Sequence, residues 1–154
     1  MKLYLVQHGE AVAKEVDPER PLSDRGRQDV ERLGRFLGDR GVRVSRVWHS
    51  GKTRARQTAE RLAAAVAPGV EAEVRAGLAP NDPTEALAGT LGDGREDTMV
   101  VGHLPFMARL ATRLVTTRED GPIVAYRPGS LVCLERDADG AWAVAWMLRP
   151  ELLG

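Results

Sequence analysis

The sequence predicts an α/β fold: a three-layer sandwich with a mostly parallel central sheet and helices on both faces. Three observations predict it. Short apolar runs of strand length, such as Leu3 to Val6, alternate with longer segments of helical periodicity. The resulting order, β-α-β-α-β-α-β-α-β-β, is that of a parallel sheet covered on both sides. Gly and Pro are scattered singly between the segments, with no repeat and no low-complexity linker, so the connections are short. At 154 residues the chain has the length of one domain, taken as residues 1–154.

Leu3 to Val6 reads as the first buried strand. Asp17-Pro18 and Arg20-Pro21 mark a loop, and Ser23 is placed to cap a helix carrying Val30, Leu33 and Leu37 on one face, ended by Gly41. Val44 to Ser50 is the second strand. Thr53 to Ala67 is a second helix with Ala55, Ala59, Leu62 and Val66 inward, stopped by Pro68-Gly69. Val70 to Val74 alternates as a short strand. Asp82-Pro83-Thr84-Glu85 has the form of a helix start, with Asp82 as cap, Pro at the first position and Glu at the third. Asp97 to Gly102 is a strand around Met99-Val100-Val101, and Leu104-Pro105 opens a helix with Met107, Leu110, Ala111 and Leu114 inward. Residues 130–135 and 141–148 form two last strands joined at Asp137-Ala138-Asp139-Gly140, with Trp142 and Trp146 on one face. His49 and Cys133 are read as packing residues.

Composition narrows the function. Hydrophobic residues are 43% and charged residues 29%, as in a soluble globular domain. Lys and Arg balance Asp and Glu at 22 each, which argues against a general nucleic-acid binder, and aromatics at 5% leave little for bases to stack on. The balance is uneven along the chain: residues 20–61 hold 12 Lys/Arg against 5 Asp/Glu, a basic stretch suited to an acidic or phosphorylated partner. A single cysteine excludes an internal disulfide and fits a reducing cytoplasm. No run approaches the ~18 apolar residues of a membrane span.

Three residues share one position relative to the strands. His8 follows the first strand, Arg54 lies just past the second, and His103 follows the strand that ends at Gly102. In a parallel sheet, ligands bind beyond the carboxyl ends of the strands, so these side chains gather at one edge. Two helix N-termini point free N–H groups at that edge, which favours an anion. Arg gives bidentate hydrogen bonds to phosphoryl oxygens, and a neutral imidazole can attack phosphorus. Gly9 lets the backbone come close to a phosphate. The three histidines lack the spacing of a zinc site, and there is no cysteine pair.

Four segments in order carry a resemblance: Leu5-Val6-Gln7-His8-Gly9-Glu10, Arg20-Pro21-Leu22-Ser23-Asp24-Arg25-Gly26, Ser50-Gly51-Lys52-Thr53-Arg54-Ala55-Arg56-Gln57-Thr58, and Val100-Val101-Gly102-His103. Together they resemble the motifs of the histidine phosphatase, or phosphoglycerate-mutase-like, superfamily. The small size and the Gly-His-Leu-Pro wording at 102–105 are similar to its SixA branch of short phosphohistidine phosphatases. The resemblance implies His8 as a nucleophile that becomes phosphohistidine, Arg54 and His103 as ligands of the phosphoryl group, and Arg20 facing the pocket. It implies no metal and no cofactor.

The chain departs from that pattern at Gln7, where the family has Arg. Gln keeps two N–H donors and its place at the strand end, so Gln7 and Gly9 are expected to contact phosphate, but without charge. The missing charge corresponds to about 1–3 kcal/mol of binding, tenfold to a hundredfold. Two carboxylates, Glu10 and Asp82, are the candidates for a general acid. A phosphoramidate needs less help from an acid than an ester does. The expectation is therefore a metal-independent phosphohistidine phosphatase acting on a signalling partner such as a histidine phosphotransfer domain, in the cytoplasm and as a monomer. The alternatives are a small-molecule phosphomonoesterase of the same superfamily, and a weakly active phosphate- or phosphoprotein-binding module.

Overall fold

The computed structural model, which describes residues 1–154, contains six strands in one sheet: β1 (Lys2–Gln7), β2 (Arg46–His49), β3 (Glu73–Val74), β4 (Thr98–Gly102), β5 (Leu131–Arg136) and β6 (Trp142–Leu148). The spatial order is β3-β2-β4-β1-β5-β6. β3, β2, β4 and β1 pair in parallel, and β5 and β6 add as an antiparallel hairpin beside β1. The mostly parallel α/β sheet predicted from the sequence is the one observed.

Helices α1 (Asp24–Asp39) and α2 (Thr53–Val66) cover one face of the sheet, and α3 (Glu85–Asp93) and α4 (Phe106–Thr116) cover the other. Strand periodicity assigns each residue to a face. Tyr4, Val6, Val47, Met99 and Val101 pack with Leu33, Leu37, Ala59 and Leu62 of α1 and α2. Leu3, Leu5, Trp48 and Val100 pack with Leu91, Phe106, Met107 and Leu110 of α3 and α4. Continuous apolar runs are thus two interleaved core faces. α1 begins as predicted, with the Ser23 side chain accepting from the Gly26 N–H. No helix is long and apolar enough to cross a membrane.

Several boundaries differ. The strand expected over 70–74 keeps only Glu73–Val74, because β2 pairs with it at Trp48 and His49 alone. α4 begins at Phe106, with Pro105 as the residue before it rather than its first residue. Asp82 is not a helix cap: its carboxylate accepts from the Ala79 N–H, closing a tight turn, and α3 starts later, at Glu85. Trp142 and Trp146 do not share a face. Cys133 pairs with Trp146 but Leu134 pairs with Val144, a β-bulge that adds one residue to β6 and inverts the alternation beyond it. Trp142 packs on the α3/α4 side, and Trp146 lies against Tyr4 on the α1/α2 side, ring centroids 6.0 Å apart.

Candidate active site

The parallel strands end at one edge, and the residues that follow them converge there. The His8 N–H donates to the Gly102 carbonyl at 3.0 Å, which ties the exit of β1 to that of β4. His103 therefore stands beside His8, with ring centroids 5.0 Å apart. Arg54 is the second residue of α2, reached from β2 through a three-residue turn, 50–52. The structure brings His8, Arg54 and His103 together, as the strand-end rule predicts.

The His8 ring is oriented by its own loop. Nδ1 lies 2.7 Å from the Gly9 carbonyl oxygen. That oxygen can only accept, so Nδ1 carries the proton and the lone pair of the neutral ring sits on Nε2. Gly9 is held in turn by its N–H donating to Thr58 Oγ1 at 3.0 Å, and Thr58 Oγ1 donates to the Arg54 carbonyl at 2.8 Å. Thr58 thus links the loop after β1 to the first turn of α2. The loop also packs backbone to helix. A Cβ on Gly9 would come within 2.8 Å of Val30 Cγ2, and one on Gly26 within 2.0 Å of the Glu10 carbonyl oxygen.

Electrostatics keep both imidazoles neutral. Burial lowers the His8 pKa to about 4, opposed by the Gly9 hydrogen bond and reinforced by the charges of Arg54 and Arg20. Burial lowers that of His103 to about 3, with further depression from His8, Arg54, Lys52 and Arg20. The charged side chains acting on the two rings are all cationic. Burial and Arg20 also depress the pKa of Arg54.

Two polar atoms at this edge are buried without a partner, Arg54 Nε and His103 Nδ1. Leaving buried polar groups unpaired is costly, about 1–3 kcal/mol each. Gln7 is buried at the end of β1, with its Oε1 also unpartnered. Arg20 holds a left-handed backbone, φ 47°, a conformation that costs a non-glycine residue about 1 kcal/mol or more. Its Nε donates to the Val12 carbonyl at 3.1 Å.

The two carboxylates are engaged elsewhere. Glu10 accepts from Ser23 Oγ at 2.7 Å, at the start of α1, and Asp82 is held in its turn with Ala79. Beside the site, between α1 and the C-terminal residues, lies a groove of about 950 Å³ lined by Glu10, Asp24, Arg25, Asp29, Arg127 and Glu151; neither imidazole lines it. His49 is a packing residue: it is buried and its Nδ1 accepts from the Gly51 N–H at 3.0 Å.

Ser50 and Thr58 were not among the predicted site residues. Ser50 Oγ lies 2.6 Å from His103 Nε2. It follows β2 just as His8 and His103 follow their strands, so the same strand-end rule points to it. Thr58 is four residues after Arg54 on α2, hence on the same helix face.

Chemically, the edge offers one imidazole with a free lone pair, a guanidinium and a second imidazole, a set suited to binding and attacking a phosphoryl group. Comparison with known proteins points the same way. No curated protein matches the chain. Among solved structures, it is similar to the protein histidine phosphatase SixA complexed with tungstate, with 23% identity, TM-score 0.88 and 100% of both chains covered. A candidate SixA phosphohistidine phosphatase from Agrobacterium tumefaciens is 21% identical, with TM-score 0.76 over 97% of both chains. A phosphoserine phosphatase from Entamoeba histolytica, in complex with 3-phosphoglyceric acid, is 14% identical, with TM-score 0.73 over 96% of both chains. At these identities the likeness is one of fold. The family description of the histidine phosphatase superfamily (branch 1) matches residues 3–81, more than half of the chain and the part that holds His8, Arg20, Ser50 and Arg54. With the fold, the order of the motifs and this match in agreement, the chain belongs to the histidine phosphatase superfamily.

Proposed function

We propose that this chain is a phosphohistidine phosphatase working in the cytoplasm through a phospho-His8 intermediate. The observation that carries the reading is the neutral His8 ring, with Nδ1 committed to the Gly9 carbonyl and Nε2 free beside Arg54 and His103. In the first step His8 Nε2 attacks phosphorus in line, forming one P–N bond as the P–N bond to the substrate histidine breaks. With its other nitrogen protonated, the substrate side chain leaves as neutral imidazole. Arg54, His103, Arg20 and the amide NH₂ of Gln7 stabilise the oxygens in flight, while the Gly9 N–H, expected to contact phosphate, is instead taken by Thr58. In the second step water attacks phospho-His8, breaking the new P–N bond, releasing inorganic phosphate and restoring the ring.

The substrate class follows from the leaving group. An alkoxide needs a proton from an acid, whereas Glu10 is bonded to Ser23 and Asp82 to Ala79. A phosphorylated imidazole leaves without that proton. The partner is therefore a protein carrying phosphohistidine, such as a histidine phosphotransfer domain. The likeness to the protein histidine phosphatase SixA, TM-score 0.88 over the whole of both chains, supports this class.

The test is phosphate release from a phosphohistidine-bearing phosphotransfer domain in the presence of a chelator, with His8→Ala as control. Release by the wild type and none by the variant is expected. Phosphate esters turned over as fast as phosphohistidine would overturn the substrate class, and equal release by His8→Ala would overturn the nucleophile.

A further inference from the structure

We propose that Ser50 is a positioning residue that fixes His103 as the Nδ1–H tautomer, turning a neutral ring into a hydrogen-bond donor for the phosphoryl group. The inference rests on the function proposed above for the use of that donor, though not for its existence.

The geometry leaves few choices. Ser50 Oγ is 2.6 Å from His103 Nε2 and 3.3 Å from the Lys52 backbone nitrogen. The Lys52 N–H can only donate, so it takes one of the two lone pairs on Oγ. The hydroxyl proton then needs an acceptor, and the neighbouring acceptor is Nε2. If Ser50 donates to Nε2, the proton of the neutral ring must sit on Nδ1. The opposite arrangement, with Nε2–H donating to Ser50, leaves the serine proton without an acceptor in the protein. It also leaves a bare lone pair on Nδ1, which is buried and has no partner. With Nε2 taken by Ser50, a neutral ring can donate to a phosphoryl group only through an Nδ1–H.

The surroundings make this control necessary. His103 is 2% exposed, so bulk water cannot equilibrate its tautomers freely at the site. Burial above all, and then His8, Arg54, Lys52 and Arg20, oppose its protonation, so a doubly protonated ring is not the source of the donor. A hydroxyl is suited to the task because it brings no charge, and Ser50 is the first residue after β2.

The test is long-range proton–nitrogen NMR on protein labelled at its three histidines near neutral pH. The wild type is expected to show His103 protonated at Nδ1 and bare at Nε2. Ser50→Ala is expected to move the proton to Nε2 in a substantial fraction of molecules, and Ser50→Thr to restore the wild-type pattern. A wild-type ring protonated at Nε2, or an Ala variant with unchanged tautomer, would overturn the proposal; if the Ala variant fails to fold, the wild-type spectrum decides. In the phosphatase assay, Ser50→Ala should lose about tenfold in kcat, and Ser50→Thr should recover most of it. The tautomer is read without turnover, so it fails or stands independently of the phosphatase reading.

Discussion

At the scale of single residues, the proposed mechanism poses one problem, which is to surround a phosphoryl group with donors while keeping the attacking nitrogen bare. His8 is kept bare by burial, by Arg54 and Arg20, and by the Gly9 carbonyl that claims its other nitrogen. Gln7 is where this arrangement is weakest. It sits buried at the strand end, and a cation there would bind phosphate about twice as strongly per hydrogen bond as its neutral amide. Gln7→Arg should therefore raise kcat/KM on a phosphohistidine protein tenfold to a hundredfold, corresponding to about 1–3 kcal/mol. The same change adds a third guanidinium near Arg54 and Arg20, where the charges acting on the rings are already all positive. The free variant should then be less stable than wild type in urea, and saturating phosphate should recover the difference. Unchanged or lower kcat/KM would mean that the neutral amide is what this pocket requires.

At the scale of elements, the first β-α unit positions His8 through close backbone contact. Gly26 lies in the first turn of α1, and its N–H binds the Ser23 cap. An alanine there would drive Cβ to 2.0 Å from the Glu10 carbonyl and displace the loop that carries His8 and Gly9. Gly26→Ala should cost about 2–4 kcal/mol of stability and lower phosphatase activity as well. Gly89→Ala in α3 is the control: a Cβ there meets nothing within 4 Å, and the gain in helix propensity should be neutral to favourable by up to about 1 kcal/mol. Equal urea midpoints for the two variants would refute the contact argument. The elements also show what a sequence can disclose. His8, Arg54 and His103 were legible because strand ends in a parallel sheet meet at one edge, whatever the details of the loops. The Ser23 cap was legible because capping is local in sequence. Trp146 was not, because a bulge in β6 is decided by pairing with β5 and leaves the alternating pattern itself unchanged. Asp82 was misread for a similar reason. Its carboxylate had two local N–H targets, a helix end and the Ala79 turn. Thr84 Oγ1, meanwhile, is taken by Glu119 and Arg113 rather than by a helix N–H.

At the scale of the whole molecule, all three histidines of the chain have pKa values below the ordinary 6.5: His8 at about 4, His103 at about 3, and His49 lowered mainly by burial. Each is neutral in the native state over a range in which the unfolded chain takes up a proton. Stability rises with pH wherever the unfolded state binds more protons. The contribution of these rings is thus fully present above about pH 6.5 and is lost as pH falls from 6.5 toward 4 for His8 and toward 3 for His103. Each proton of difference is worth about 1.4 kcal/mol per pH unit, so His8 and His103 together set a slope of up to about 2.7 kcal/mol per unit. The window from about pH 6.5 to pH 5 isolates the histidines, since ordinary carboxylates titrate lower. Urea unfolding across that window should show stability falling with pH, and His8→Asn or His103→Asn should each remove about one proton from the slope. Phosphate should flatten it too, because an anion between Arg54 and the two rings favours their protonated forms and raises their native pKa values. A wild-type curve that stays level from pH 7 to pH 5 would show that neither ring resists protonation. The lone pair that the proposed mechanism assigns to His8 as nucleophile would then be lost in the same range as that of any exposed histidine.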